Sequence, residues 1–282
     1  MNRLSILIYH RVLARPDPLL PSLPDIRRFD RQMALLKRCF HVLPLSEAII
    51  QLEQERLPAR AACITFDDGY ADNAEYALPV LTRHGLSATF FIASGYLNGG
   101  QMWNDDVIDH VRHTVQGTPA QQQRAIDELL LQLKYLPYEE RLAAARKLAP
   151  PRWDQLMMRS DQVQELLAAG MEIGAHTHRH PILAAIPDDQ AYADIAEGKA
   201  ALEDITQTPV TLFAYPNGKP GRDYQQRHVD MIASLGFKAA VSTVAATAYA
   251  GSDLLQLPRF TPWEPDRPRF LLRLLANRRV AL

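Results

Sequence analysis

Apolar positions along the chain fall into two alternating patterns. Short runs rich in β-branched and aromatic residues recur at Leu4 to Tyr9, Ala62 to Phe66, Ala88 to Ile92, Met171 to Ala175, Val210 to Tyr215, Phe237 to Ser242 and Leu254 to Phe260. Between them, apolar residues recur at helical spacing over Phe29 to Cys39, Ser46 to Glu53, Asn73 to His84, Ser160 to Ala169, Asp188 to Ile205 and Tyr224 to Leu235. Strands regularly separated by helices pair in parallel, because a parallel connection needs a crossover long enough to hold a helix. Ser46 and Ser160 stand as candidate N-caps, and Gly85, Gly170 and Gly236 stand where helices should stop. About seven such strand and helix units predict an α/β fold, a distorted or incomplete (β/α) barrel over 1–282 as one domain.

One stretch interrupts this rhythm. Residues 98–159 carry helical patterns at Trp103 to Val115, Pro119 to Leu133 and Tyr138 to Leu148 with little strand signal, and they read as a helical insertion. An insertion there follows a strand's C-terminal end, the face on which barrels build their sites. Proline-rich patches at Arg15 to Pro24, Pro216 to Pro220 and Pro258 to Pro268 are too short to separate two cores and read as ordered loops.

Composition narrows the picture. With 282 residues, 47% hydrophobic and 22% charged, the chain can bury a large core without disulfide staples. Its 31 Lys and Arg balance 32 Asp and Glu, so no overall field favours a phosphate backbone and nucleic acid is not an expected partner. Cys39 and Cys63 lie in apolar runs without Cys-x-x-Cys spacing and are expected to be buried thiols. The opening apolar run is too short for a signal peptide, and no run reaches the ~18 residues of a membrane span, so the expected location is the cytoplasm. The basic, amphipathic stretch from Arg267 to Arg279 predicts a helix closing on the barrel, with a membrane-surface contact as the alternative.

Candidate chemistry lies at two strand ends. Ala62-Cys63-Ile64-Thr65-Phe66 runs into Asp67-Asp68-Gly69, and adjacent carboxylates at a strand's end are costly unless a cation is near. One of the pair can ligate a metal while the other takes a proton. Glu172-Ile173-Gly174-Ala175 runs into His176-Thr177-His178-Arg179-His180. His176 and His180 can converge in a helical turn, whereas His178 between them points elsewhere and reads as a neighbour of the site before a ligand. Imidazole and carboxylate together suit a divalent transition metal.

These residues resemble the polysaccharide deacetylase family, carbohydrate esterase family four. Its Thr-Phe-Asp-Asp-Gly motif is complete at Thr65 to Gly69, and its His-Ser/Thr-x-x-His motif is complete at His176 to His180. The resemblance implies a catalytic domain in which Asp67 is the general base and Asp68, His176 and His180 hold a metal, commonly Zn2+, with Thr177 bracing the site. It implies an N-acetylated glycan as substrate. A third motif, Arg-x-Pro-Tyr/Phe, is partial: Phe213-Ala214-Tyr215-Pro216-Asn217 keeps the proline but has Ala214 in place of the arginine. The backbone N–H of Asn217 can still serve an oxyanion hole, with Tyr215 and Pro216 beside it in the substrate-binding stretch. Arg259, on the last predicted strand, can bring a guanidinium to Asp67 from another direction.

The family's C-terminal Leu-x-His motif is absent, since no histidine follows His228. Tyr9-His10 resembles the openings of the branch acting on exopolysaccharide amino sugars, which implies His10 as the general acid. Trp103, opening the insertion before Asp105 and Asp106, can stack on a sugar ring while the acids bind hydroxyls. The expectation is a metal-dependent hydrolase of N-acetyl groups on amino sugars. Alternatives are a hydrolase of another amide or an O-acetyl ester, or a carbohydrate-binding relative without catalysis.

Overall fold

The computed structural model describes residues 2–148, 155–262, 264 and 266–278. Seven strands, β1 (Leu4–Tyr9), β2 (His41–Val42), β3 (Ala61–Phe66), β4 (Thr89–Ile92), β5 (Glu172–Ala175), β6 (Leu212–Ala214) and β7 (Ala239–Val241), form one parallel sheet. Its order is β1-β3-β4-β5-β6-β7, with β2 beside the start of β3. Among the described residues ten α-helices accompany them: α1 (Ile26–Cys39), α2 (Leu45–Glu53), α3 (Leu78–His84), α4 (Trp103–Thr114), α5 (Pro119–Lys134), α6 (Tyr138–Leu148), α7 (Ser160–Ala168), α8 (Asp188–Thr206), α9 (Gln226–Ser234) and α10 (Arg267–Asn277). A π-helical turn, Asn73–Ala77, precedes α3, where Pro79 has no N–H to continue an α-helical ladder.

The sheet curls until its edges meet. Leu257 pairs with Val241 and Phe260 with Leu7, both in parallel, through the Leu257 N–H to the Ala240 carbonyl (2.8 Å) and the Phe260 N–H to the Ile6 carbonyl (3.0 Å). The predicted strand from Leu254 to Phe260 is therefore a 3-10 turn, Leu254–Gln256, followed by a closing strip with single bridges. Pro258 lies inside that strip and has no N–H to lend to a ladder.

Side chains alternate between the two faces of each strand, and the core divides accordingly. Leu4 and Ile6 of β1, Ala61 and Cys63 of β3, Phe91, Leu212, Ala214, Ala239, Val241 and Leu257 form an inner cluster. Leu45, Ala48, Ile49 and Leu52 of α2 join it, so α2 plugs the N-terminal end of the barrel. The alternate residues, among them Leu7, Tyr9, Ile64, Phe66 and Phe90, pack outward against α1, α3, α7, α8, α9 and α10. Phe270 and Leu274 bury one side of α10 there, while Leu272 and Leu275 are exposed and Arg279 lies outside the described residues. Cys63 is buried inside the barrel, which pushes its thiol pKa up, but Cys39 in the last turn of α1 is only half-buried, contrary to expectation.

Local signals worked where the backbone alone decides. Gly85, Gly170 and Gly236 have φ of 62°, 80° and 80°, the left-handed conformation that ends a helix. The two serine caps do not form. Pro44 is the N-cap of α2, and Ser46 sits inside the helix. The cap comes instead from Glu172 on β5, whose carboxylate accepts from the N–H groups of Leu45 (2.7 Å) and Ser46 (3.1 Å), from the Thr89 hydroxyl (2.6 Å) and from the Ser46 hydroxyl. Ser160 is the first helical residue of α7 after Arg159, and its N–H donates to Asn98 (3.0 Å).

The insertion contributes α4, α5 and α6, which bury small clusters of their own around Val111 with Ile126 and around Trp103 with Ala145. Its residues 149–154, like Trp263 and Pro265 of the third proline patch, lie outside the described residues. Among the described residues no helix is long and apolar enough to cross a membrane.

The cap across β5 and α2 carries a stability consequence. Glu172→Ala leaves two helix N–H groups and the Thr89 hydroxyl without their acceptor, and should cost about 1–3 kcal/mol in urea unfolding. A loss within about 0.5 kcal/mol, the range of neutral surface changes, would show that water replaces the carboxylate.

Candidate active site

The inward-facing register of each strand continues past its C-terminal end into the polar residues. Leu4 and Ile6 lead through Ile8 to His10, Ala61 and Cys63 through Thr65 to Asp67, Gly174 to His176, and Leu257 to Arg259. Gly174 is needed below His176, because a Cβ there would meet the Phe91 ring at 2.5 Å. A cavity of about 520 Å³ opens at this end, and His10, Asp67, Asp68, His176, His180 and Asn217 all line it.

Asp67 and Arg259 form a bidentate pair at the cavity floor. Nη1 and Nη2 of Arg259 each donate to one Asp67 oxygen at 2.7 Å. Nη1 also donates to the Thr65 hydroxyl (3.1 Å) and Nε to the Ser242 carbonyl (3.0 Å), so the fully buried guanidinium is held on three sides. Burial alone would raise the Asp67 pKa; the Arg259 and His176 charges outweigh it and hold the carboxyl down at about 2. The guanidinium missing at Ala214 thus arrives from the closing strip.

Neighbouring side chains on a strand point apart, yet Asp68 faces the same cavity as Asp67. Its φ of 77° turns the chain back just past β3. The Oδ1 of Asp68 lies 3.6 Å from Nε2 of His176 and 3.5 Å from Nε2 of His180, and one ligand atom from each residue lies within 4.8 Å of the others. Nδ1 of His176 faces the Ala214 carbonyl at 2.7 Å, which assigns the proton to Nδ1 and leaves Nε2 free to ligate. Burial lowers the His180 pKa and raises that of Asp68. A divalent cation answers both: it takes neutral imidazole, and it offsets the buried carboxylate. One oxygen and two nitrogens from Asp68, His176 and the half-buried His180 suit such an ion and leave coordination positions for water or substrate.

The turn that carries the histidines is braced from behind. Thr177 and His180 have φ of 64° and 55°; the Thr177 hydroxyl accepts from the His180 N–H (3.0 Å) and donates to the His176 carbonyl (2.5 Å). On α8, the buried Asp194 accepts from the N–H groups of His178 (2.9 Å) and Arg179 (3.0 Å) and from Arg179 Nε (2.7 Å). Gly198 lets α8 approach so closely that a Cβ would come within 2.5 Å of Thr177. Sequence reasoning missed Asp194 and Gly198, since neither stands out in a helix rich in acids and small residues. His178 turns away from the ligand cluster, its Nδ1 2.9 Å from the Ser94 hydroxyl and its Nε2 3.5 Å from Glu197.

Around the rim the placements are mixed. Asn217 has φ of 61°, and its carbonyl accepts from the Thr243 hydroxyl (2.7 Å). Tyr215 and Pro216 do not line the cavity. The Tyr215 ring stacks on Tyr224 with centroids 3.7 Å apart and its hydroxyl donates to the Leu255 carbonyl, because residue 215 follows Ala214 and so points outward. Trp103, largely buried, lines the cavity with Met102 and Asn104, its ring 5.3 Å from the Arg141 guanidinium. Asp105 and Asp106 turn elsewhere. Asp105 accepts from the Tyr70 hydroxyl (3.2 Å) with Arg11 at 3.9 Å, and burial pushes its pKa up to about 7. Asp106 accepts from Gln101 (2.6 Å), and burial raises it to about 6.

The family model for polysaccharide deacetylase matches residues 54–240. YxkH of Bacillus subtilis, whose name places it among the polysaccharide deacetylases, is 22% identical over 259 residues, covering 91% of this chain and 70% of its own. Among solved structures, the Streptococcus pyogenes deacetylase PplD in complex with acetate superposes with a TM-score of 0.69 at 21% identity, covering 96% of this chain and 97% of its own. IcaB from Ammonifex degensii gives 0.67 at 20% identity over 98% and 97% of the two chains. A de-N-acetylase from Aggregatibacter actinomycetemcomitans gives 0.64 at 16% identity over 96% and 100%. At these identities the structures establish the shared barrel, and the match over residues 54–240 establishes the rest: this chain belongs to the polysaccharide deacetylase family.

Proposed function

We propose that the protein is a metal-dependent hydrolase that removes N-acetyl groups from amino sugars of a polysaccharide or glycan precursor. Zn2+ is the ion that best suits its two imidazoles and one carboxylate. The observation that carries the reading is the pairing of an ionised, arginine-held Asp67 with the Asp68, His176 and His180 cluster, Asp67 Oδ2 lying 4.0 Å from His176 Nε2.

A cation held by Asp68, His176 and His180 would polarise the acyl carbonyl and make water at the site more acidic. Asp67, held ionised beside Arg259 and facing the same cavity, is placed to take the proton of the attacking water. As the water oxygen bonds to the acetamide carbon, the carbonyl electrons move onto oxygen, where the Asn217 N–H donates. His10 then delivers a proton to nitrogen as the C–N bond breaks, releasing acetate and the free amine. Asn73 Nδ2 donates to the His10 carbonyl at 2.9 Å and fixes the backbone that carries this acid.

Four measurements test the assignment. Asp68→Ala, His176→Ala and His180→Ala should each lose stoichiometric metal, whereas Asp67→Asn should keep it and lose roughly 10²–10⁴-fold in acetate release. Metal loss in Asp67→Asn with retention in Asp68→Ala would reverse the two roles. His10→Ala should bind metal normally yet slow an N-acetyl substrate by a similar factor, with a smaller loss on an ester whose alcohol leaves easily; equal losses on both would remove His10 as the acid. Arg259→Ala strands a buried carboxylate and should cost about 3–5 kcal/mol in chemical denaturation. Because the folded Asp67 titrates below its ordinary ~3.9, the pair's stabilisation is present above that pH and disappears as pH falls towards 2. Arg259→Ala should therefore flatten the acid limb of the stability curve, and an unchanged limb would place the stabilisation elsewhere.

A further inference from the structure

The chemistry above leaves the insertion without a task. On α5, Asp127, Leu130, Leu131 and Lys134 line the same cavity as Asp68, His176 and His180. Spacings of three, four and seven residues put all four on one face of the helix. That whole face therefore looks into the site.

The middle and the C-terminal end of α5 are fastened to different parts of the barrel rim. Midway along it, Ile126 packs with Leu19 of the segment following β1, where Arg112 of α4 also pairs with Asp17 at 2.6 Å. Just beyond its end, the Tyr135 ring lies 4.3 Å from the Arg222 guanidinium in the segment following β6. With 16 residues α5 is about 24 Å long, enough to reach across the mouth of a barrel of this kind. Met102, Trp103 and Asn104 at the start of α4 extend this wall. Away from the insertion and the Asp67 to His180 cluster, the lining is formed by shorter side chains, Asn217, Thr243 and Thr261, together with Ile8 and His10 of the first strand end.

The wall also has the surface of a sugar subsite. Leu131 is 69% exposed although it lines the cavity, so its apolar side is offered to a ligand and not to the protein core. The C–H face of a pyranose suits it, and Asp127 and Lys134 flank it with an acceptor and a donor for hydroxyls. A chain reacting at an internal residue must leave the site in two directions. Here one of them ends on α5 and the start of α4.

We infer that the cavity-facing side of α5 is a specificity wall that admits the end of a glycan, or a short glycan, and excludes the interior of a long chain. This rests on the deacetylase reading and sets which residue of the substrate is processed. The test uses the metal-loaded protein with N-acetylglucosamine oligomers from dimer to octamer, measuring acetate release and locating each free amine by mass spectrometry. Free amines should appear at one terminal residue only, with kcat/KM constant within about threefold across the series. Amines at internal positions, or kcat/KM rising about tenfold or more with length, would overturn the inference while leaving deacetylation standing. No acetate from any oligomer with metal bound would instead defeat the deacetylase reading, and this one with it. Leu131→Ala, at an exposed position, and Lys134→Ala should keep metal and raise the share of internal products by about tenfold. Internal shares equal to those of the unaltered protein in both would show that α5 does not select.

Discussion

The ion pair between Asp67 and Arg259 is the contact through which the rest of this structure is organised. It joins β3, in the first quarter of the chain, to the closing strip near its end, and so links the shape of the barrel to the charge at its floor. A buried carboxylate and a buried guanidinium are each costly to desolvate, and only the forked geometry with further bonds to Thr65 and Ser242 compensates both. The strip that seals the sheet is thus the segment that supplies Asp67 with its counter-charge. Closure and chemistry depend on one side chain.

A second constraint is the left-handed backbone that recurs where strands end. Asp68, Thr177, His180 and Asn217 all have φ between 55° and 77°, although none is glycine. Such residues are costly in isolation and persist when their surroundings over-determine them. Here the surroundings are visible. The Ala93 N–H donates to the Asp68 carbonyl at 3.2 Å, Asp194 and Gly198 hold the Thr177 turn, and Thr243 holds Asn217. The site's geometry comes from turns that bend donor atoms inward, and the shell behind them carries the strain.

How much of this was legible in the sequence follows from where each signal sits. Asp67, Asp68, His176 and His180 stand in short contiguous motifs after strand-like runs, so the residues and their common face could be read directly. His10 and Arg259 were legible through strand alternation, which carries the inward register one step beyond Ile8 and Leu257. Alternation also accounts for Tyr215: its motif neighbours suggest the substrate-binding stretch, but its parity turns it to the outer core against Tyr224. The cap on α2 could not be found locally, because its acceptor, Glu172, lies more than a hundred residues from Ser46. Asp194, Gly198 and the inward face of α5 were hidden for the same reason, since only tertiary contact distinguishes them from ordinary helix residues.

The closing strip also has a bearing on the order in which the molecule is made. Synthesis delivers Asp68, His176 and His180 well before residues 257–260, and β1 is made long before the strip that will cover its edge. Until residues 257–260 emerge, Asp67 lacks the Arg259 guanidinium, and β1 and β7 both present unpaired backbone. Pairings between such distant segments form late and slowly. A nascent chain can therefore assemble the Asp68, His176 and His180 cluster but not the completed floor beneath it, and the interval before Phe260 docks on Leu7 is when open strand edges are most exposed to other chains.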